Sequence, residues 1–107
     1  MGYPGEFELL VLLAILRLGD DAYGVTIRRE LEKETSRTLT LGTVYKTVGR
    51  LEAKAYLESR IAPPTTERGG RRKKLYSLTP AGREAVQRAL ADLRRLTEGL
   101  ATELERP

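Results

Sequence analysis

Apolar positions recur along this chain in two rhythms. Between Glu6 and Leu18, Phe7, Leu10, Val11, Ala14 and Leu18 keep the three-and-four spacing of one helical face, and Leu9, Leu12, Leu13 and Leu16 widen it. So broad an apolar surface predicts a central helix touched on several sides. Glu6 and Glu8 near its start suit the helix dipole, and Gly19 ends it with Asp20 and Asp21 in the turn. A second helix fits Tyr23 to Glu34, with Val25, Ile27 and Leu31 on its buried side. Ser36 to Leu39 is a short connection, and Thr40 is the cap of a third helix over Leu41–Ala55. The rhythm then drops to two. Leu57, Ser59 and Ile61 alternate with Glu58 and Arg60, Pro63 and Pro64 break the ladder, and Lys74, Tyr76 and Leu78 alternate with Leu75 and Ser77 on a return strand. Thr79-Pro80 starts a last helix, Thr as cap and Pro at the first helical position. It is expected to run to about Glu103 on a stripe of Val86, Leu90, Leu93, Leu96 or Thr97, Leu100 and Leu104.

The third helix has two faces. Leu41, Val44, Val48, Leu51 and Ala55 follow the spacing of a buried stripe. Thr43, Lys46, Thr47 and Arg50 follow it on nearly the opposite side and carry only hydrogen-bond donors. Such a helix can rest on a small domain and offer its outer face to a DNA groove. Two helices joined by a short polar link, the second bearing the donors, make a helix-turn-helix. With the basic-tipped hairpin after it, the pattern predicts a winged helix-turn-helix, mainly α (α+β), over residues 1–78. Residues 79–107 are then a C-terminal dimerisation helix. Roughly 25 helical residues at 1.5 Å each span close to 40 Å, more than a domain this small needs. That length favours a second copy of the chain as partner, with Leu9 and Leu13 of the first helix joining Val86, Leu90, Leu93, Leu96 and Leu100 in the interface.

Charge sharpens the reading. The net charge of the 107 residues is only +4, but residues 35–78 carry ten Lys/Arg against three Asp/Glu, while residues 1–34 carry four against seven. The positive charge therefore coincides with the donor-lined helix and the hairpin, which implies a polyanionic partner. Arg68, Arg71, Arg72, Lys73 and Lys74 put five cations within seven residues at the hairpin tip, more than a turn needs for solubility. They suit phosphates or a minor groove, although the strand direction keeps all five from binding at once. Arg50 can pair with guanine if it reaches the groove floor, and otherwise meets phosphate. Tyr45, between the two faces, reads as a core ring whose hydroxyl can touch phosphate, and Tyr23 gets the same double reading. Gly24 after it would let backbone approach DNA at a helix N-terminus.

Composition removes other functions. The chain has no Cys and no His, so it lacks the materials of disulfides, zinc clusters and the commonest general base. Gly69-Gly70 is too short to cradle a nucleotide, and there is no P-loop. No enzyme activity, cofactor or metal is expected. No run of about 18 apolar residues appears and Met1–Glu8 lacks a signal-peptide start, so the expectation is a cytoplasmic protein without a membrane span.

The order of short motifs resembles the PadR family of bacterial transcriptional regulators over residues 6–84. The carrying residues are Ala22-Tyr23-Gly24, Leu41-Gly42-Thr43-Val44-Tyr45, Arg50-Leu51-Glu52 and Tyr56-Leu57-Glu58-Ser59. The segment Arg68-Gly69-Gly70-Arg71-Arg72-Lys73-Lys74 and then Tyr76-Ser77-Leu78-Thr79-Pro80-Ala81-Gly82 complete them. Many members have Pro after the tyrosine matched by Tyr45, where this chain has Lys46, a departure that bears on base preference more than on fold. The resemblance implies a homodimer that binds double-stranded operator DNA, usually as a repressor. A two-fold dimer should read an inverted repeat with half-sites about one helical turn, roughly 34–36 Å, apart or a multiple of it. Some members respond to small aromatic or drug-like compounds. The absence of Trp, with Phe7 the only Phe, leaves few rings for a flat effector here. The rival reading is a winged-helix interaction module whose basic face meets an acidic protein.

Overall fold

The computed structural model describes residues 4–63 and 72–107. Helix α1 (Glu6–Leu18) opens the chain and stops at Gly19, whose φ of 59° costs a glycine little. A short 3-10 turn, Gly19–Asp21, leads to α2 (Gly24–Glu34). Tyr23 lies outside α2 as its cap; its N–H donates to Thr26 Oγ1 at 3.0 Å. Helix α3 (Leu41–Ala53) starts as expected at Thr40, whose hydroxyl accepts from the Thr43 N–H at 3.1 Å.

Strands β1 (Leu57–Ile61) and β2 (Lys74–Leu78) form an antiparallel pair with Leu57 opposite Leu78, Ser59 opposite Tyr76 and Ile61 opposite Lys74. Tyr76 also donates its N–H to the Ala22 carbonyl at 2.9 Å, which ties the hairpin to the turn before α2. Helix α4 (Pro80–Thr97) starts at Thr79, whose hydroxyl accepts from Gly82 N–H and donates to the Ala55 carbonyl. Gly82 is sterically required there: a Cβ at this position would overlap the Tyr56 carbonyl oxygen.

One core joins all of these elements. Val11, Leu12 and Ile15 of α1, Ile27 and Leu31 of α2, and Val44, Val48 and Leu51 of α3 pack with Tyr56, Leu57, Tyr76 and Leu78 of the hairpin region. The order of elements and the hairpin make a winged helix-turn-helix, with a long helix at the C-terminal side.

Three expectations from the apolar pattern are corrected. Helix α3 ends at Ala53, and Ala55 is exposed instead of completing the buried stripe. Tyr56 N–H bonds to the Leu51 carbonyl and Ala55 N–H to the Glu52 carbonyl, a Schellman ending that puts Ala55 at φ 63°. Val86 is 4% exposed and belongs to the subunit's own core with Ala85, so it cannot serve a partner copy. The last helix does not reach Glu103. It stops at Thr97, Gly99 turns at φ 79°, and a separate short helix α5 (Ala101–Glu105) carries Leu104.

Candidate nucleic-acid interface

The reverse side of α3 is anchored by Val44, Val48 and Leu51, all at most 1% exposed. Its outer side is open, with Gly42, Thr43, Lys46, Gly49, Arg50 and Ala53 exposed. Thr47 departs from the expectation. At ~100° per residue it falls about 60° from Val44, on the core side. It is 1% exposed, and its hydroxyl donates to the Thr43 carbonyl at 2.9 Å. Thr47 is therefore not available to a groove. The centre of the outer face instead holds Gly42, Lys46, Gly49 and Ala53, with Thr43 and Arg50 along one edge. Reading only for donors passes over the small residues. A Cβ at Gly49 would meet nothing within 4 Å, so no internal packing explains that glycine.

Tyr45 lies on the other edge, half exposed, with its ring against the start of α2. A Cβ on Gly24 would come within 2.6 Å of the Tyr45 ring and hydroxyl. Gly24 thus makes room for Tyr45; the expected approach of bare backbone to DNA is replaced by a tyrosine seated on that helix start. The Tyr23 ring is nearby in the fold and carries Lys73, whose Nζ stands 4.5 Å from the ring centroid. This cation–π contact holds one wing-base lysine toward the helix-turn-helix.

The wing base is also tied to α3. Glu52 accepts from Ser59 Oγ at 2.8 Å, and Lys74 Nζ lies 3.5 Å from its carboxylate. Arg72, Lys73 and Lys74 are all exposed, Lys74 paired with Glu52 and Lys73 set over the Tyr23 ring. Tyr76, beside Lys74, is buried, and burial pushes its hydroxyl above the ordinary tyrosine value despite that lysine. Arg68 and Arg71 lie outside the described residues.

A second exposed surface lies along α4 and the face of α1 beside it. Leu93 is 49% exposed and Leu96 74%, with Leu90 and Leu100 also open and Leu9 and Leu13 partly so. Leu9, Ala89, Leu93 and Leu96 line a cleft of about 340 Å³ between α1 and α4, together with Pro4, Glu6 and Asp92. No helix among the described residues is long and apolar enough to cross a membrane.

The family model described as the transcriptional regulator PadR-like family matches residues 12–88, from within α1 into α4. The chain belongs to this family. An uncharacterized 37.1 kDa protein in transposon TN4556 of Streptomyces fradiae is 32% identical over 92 residues, 86% of this chain. The chain spans only 24% of that relative's length. A PadR family transcription regulator from Clostridium difficile has the same fold, with a TM-score of 0.76 at 23% identity, covering 94% of this chain and 99% of that one. Bacillus subtilis PadR in complex with operator DNA superposes with a TM-score of 0.67 at 20% identity, covering 80% of this chain and 47% of that one.

Within this PadR-like frame the carrying motifs acquire physical roles. Ala22 supplies a carbonyl to β2, and Tyr23 caps α2. Gly24 accommodates Tyr45, Glu52 ties down the wing base, and Gly82 admits the Tyr56 carbonyl. One residue that the sequence pattern did not single out is Lys54. Its Nζ stands 2.9 Å and 3.0 Å from the two carboxylate oxygens of Glu8, beside Arg50. No spacing rule connects positions so far apart in the chain.

Proposed function

We propose that this PadR-like regulator binds operator DNA as a homodimer and acts as a repressor. The observation that carries the reading is α3. Its inner side is sealed into the core, and its outer side offers Thr43, Lys46 and Arg50 beside Tyr45, with nothing of the described chain covering them. In this reading α3 lies in the major groove, where its N-terminal half reaches base edges. Arg72 and Lys73, with Arg68 and Arg71, meet flanking backbone, and Tyr23 is placed for phosphate contact. Bacillus subtilis PadR, of like fold, is known in complex with operator DNA, which supports the reading.

The exposed leucines of α4 support the dimer. Burying Leu90, Leu93 and Leu96 against a second copy removes them from water twice over, because a two-fold interface repeats each contact. The cleft between α1 and α4 would lie in or beside that interface, and a small-molecule effector held there would alter the separation of the two α3 helices. Residues 1–78 would form the DNA-binding part and 79–107 the dimerising part, although the first half of α4 also packs into the core.

The test is selection of bound sequences from a random duplex pool, followed by titration of a selected duplex and light scattering of the complex. The expected result is an inverted repeat bound by two chains. Equal affinity for every duplex would refute the regulator reading and favour an interaction module for an acidic protein.

A further inference from the structure

Glu8 is the only charged side chain among the described residues that is more than nine-tenths buried. It belongs neither to α3 nor to the wing. It sits in the first turn of α1, where its carboxylate accepts the Gly5 N–H at 2.9 Å and so helps begin that helix. The same carboxylate accepts from Lys54 Nζ at 2.9 Å and 3.0 Å and from Arg50 Nε at 3.4 Å. Arg50 Nη2 donates in turn to Thr47 Oγ1 at 3.4 Å. Both cations are nevertheless about half exposed, 53% for the Arg50 side chain and 46% for Lys54. Each is gripped through some of its donors while the rest stay open to solvent.

One cation would suffice to neutralise a buried carboxylate, and the Gly5 bond alone would serve the helix start. A second cation, taken from the exposed edge of α3, serves neither purpose. We infer that Glu8 is a positioning residue for DNA recognition, holding Arg50 and Lys54 at fixed places along the edge of α3 so that they fit one register of a duplex. The inference rests on the reading of α3 as the groove helix. Long side chains that are already ordered give up little freedom on binding, but they match only a duplex whose phosphates and bases stand where they do. Freed, the same side chains adapt to any duplex. Glu8 is also an anion beside a polyanion, so its charge weakens binding to every sequence. Removing that charge therefore has two effects of opposite sign.

The test compares affinities for a duplex selected by the wild-type protein and a scrambled duplex of the same composition, at one salt concentration. Glu8→Gln should bind the scrambled duplex at least as tightly as the wild type, while the ratio of selected to scrambled affinity falls roughly tenfold, the scale set by ordering two long side chains. In an Arg50→Ala/Lys54→Ala background, Glu8→Gln should lower the ratio much less, because both groups it positions are gone. An unchanged ratio beside a folded protein would overturn the inference. So would an equal fall in both backgrounds, which would mark Glu8 as a purely structural residue. If Glu8→Gln does not fold, Glu8→Asp decides: it keeps the charge but withdraws the carboxylate by one methylene. A lowered ratio supports positioning and an unchanged one overturns it. If Arg50→Ala alone leaves the ratio intact, Arg50 takes no part in discrimination and the inference falls, whereas a wild-type protein that selects no duplex refutes the reading of α3 itself. That result is distinct from a silent Glu8→Gln beside an active Arg50.

Discussion

Gly49→Ala separates what α3 needs for folding from what it needs for its partner. Gly49 lies two turns along α3 from Gly42, at the middle of the exposed face, and a Cβ there meets no atom within 4 Å. In an exposed helix interior glycine costs about 0.8–1.0 kcal/mol relative to alanine, through backbone entropy. The substitution should therefore stabilise the isolated protein by nearly that amount. For a domain of this size a gain of ~1 kcal/mol raises the melting temperature by roughly 4–8 °C.

The DNA side has the opposite sign. If the backbone of α3 lies against the groove at Gly49, an added methyl enters a packed interface, where overpacking costs about 1–3 kcal/mol. That corresponds to a loss of affinity of roughly fivefold to 150-fold. Thermal melts followed by circular dichroism give the first quantity, and fluorescence anisotropy with a selected duplex gives the second. A more stable protein with unchanged affinity would remove Gly49 from the contact. A less stable protein would refute the account of that face altogether.

Four further outcomes are expected. Leu93→Asp should convert the proposed dimer to a folded monomer in light scattering, since two half-exposed leucines per interface are worth about 1.5–3 kcal/mol, half the value for full burial; a dimer that persists would move the interface elsewhere. Gly82→Ala should lower the melting temperature by 10 °C or more (roughly 2–3 kcal/mol) because the new methyl meets the Tyr56 carbonyl oxygen, and an unchanged melt would show that α4 starts farther from that turn. Ala55→Gly should stabilise the fold by up to about 1 kcal/mol by relieving the left-handed backbone, as urea unfolding would report. Glu8 gives a pH signature. Burial pushes its carboxyl up, but the Gly5 amide, Lys54 and Arg50 outweigh burial and hold it below its ordinary value. The resulting stability is complete above the ordinary carboxylate value of ~4.3 and is lost as pH falls through the lower folded-state value. The advantage of wild type over Glu8→Gln in urea unfolding should therefore shrink at acid pH; a pH-independent difference would contradict the pairing.

Elements punctuated by strong local chemistry were legible in the sequence. Gly19 closes α1, Thr40 opens α3, Thr79-Pro80 opens α4, and the alternation of Leu57–Ile61 and Lys74–Leu78 predicts both strands. Of the misread boundaries, one lacks such a mark and the other has a mark that a longer pattern overrides. Alanine at 55 gives no warning of a left-handed turn, because the Schellman bonds and the neighbouring Thr79 contact impose it from outside. Gly99 weakens the helix near its end, but the leucine stripe through Leu100 and Leu104 continues across it as though the helix did, and the backbone shows that the glycine prevails. On α3 the two-face pattern places Val44, Val48 and Leu51 in the core correctly but adds Ala55 and omits Thr47. The outer face is misjudged by about a fifth of a turn. Thr47 resembles the donors by its hydroxyl, yet that hydroxyl is spent on the helix backbone.

The least legible feature is the role of α1. Its apolar residues read as core, and Val11, Leu12, Ala14 and Ile15 are core, but the helix also stands between two surfaces with different proposed tasks. Leu9 lines the cleft shared with Leu93 and Leu96, while Glu8, the residue before it, grips Arg50 and Lys54. Adjacent residues on a helix point about 100° apart, so one turn of α1 touches the side facing α4 and the edge of α3 together. A displacement of α1 at the α4 cleft would carry with it the backbone that bears the carboxylate holding the two cations. Periodicity describes one helix at a time and cannot express this link. It arises from a carboxylate and two cations that only the folded core brings together.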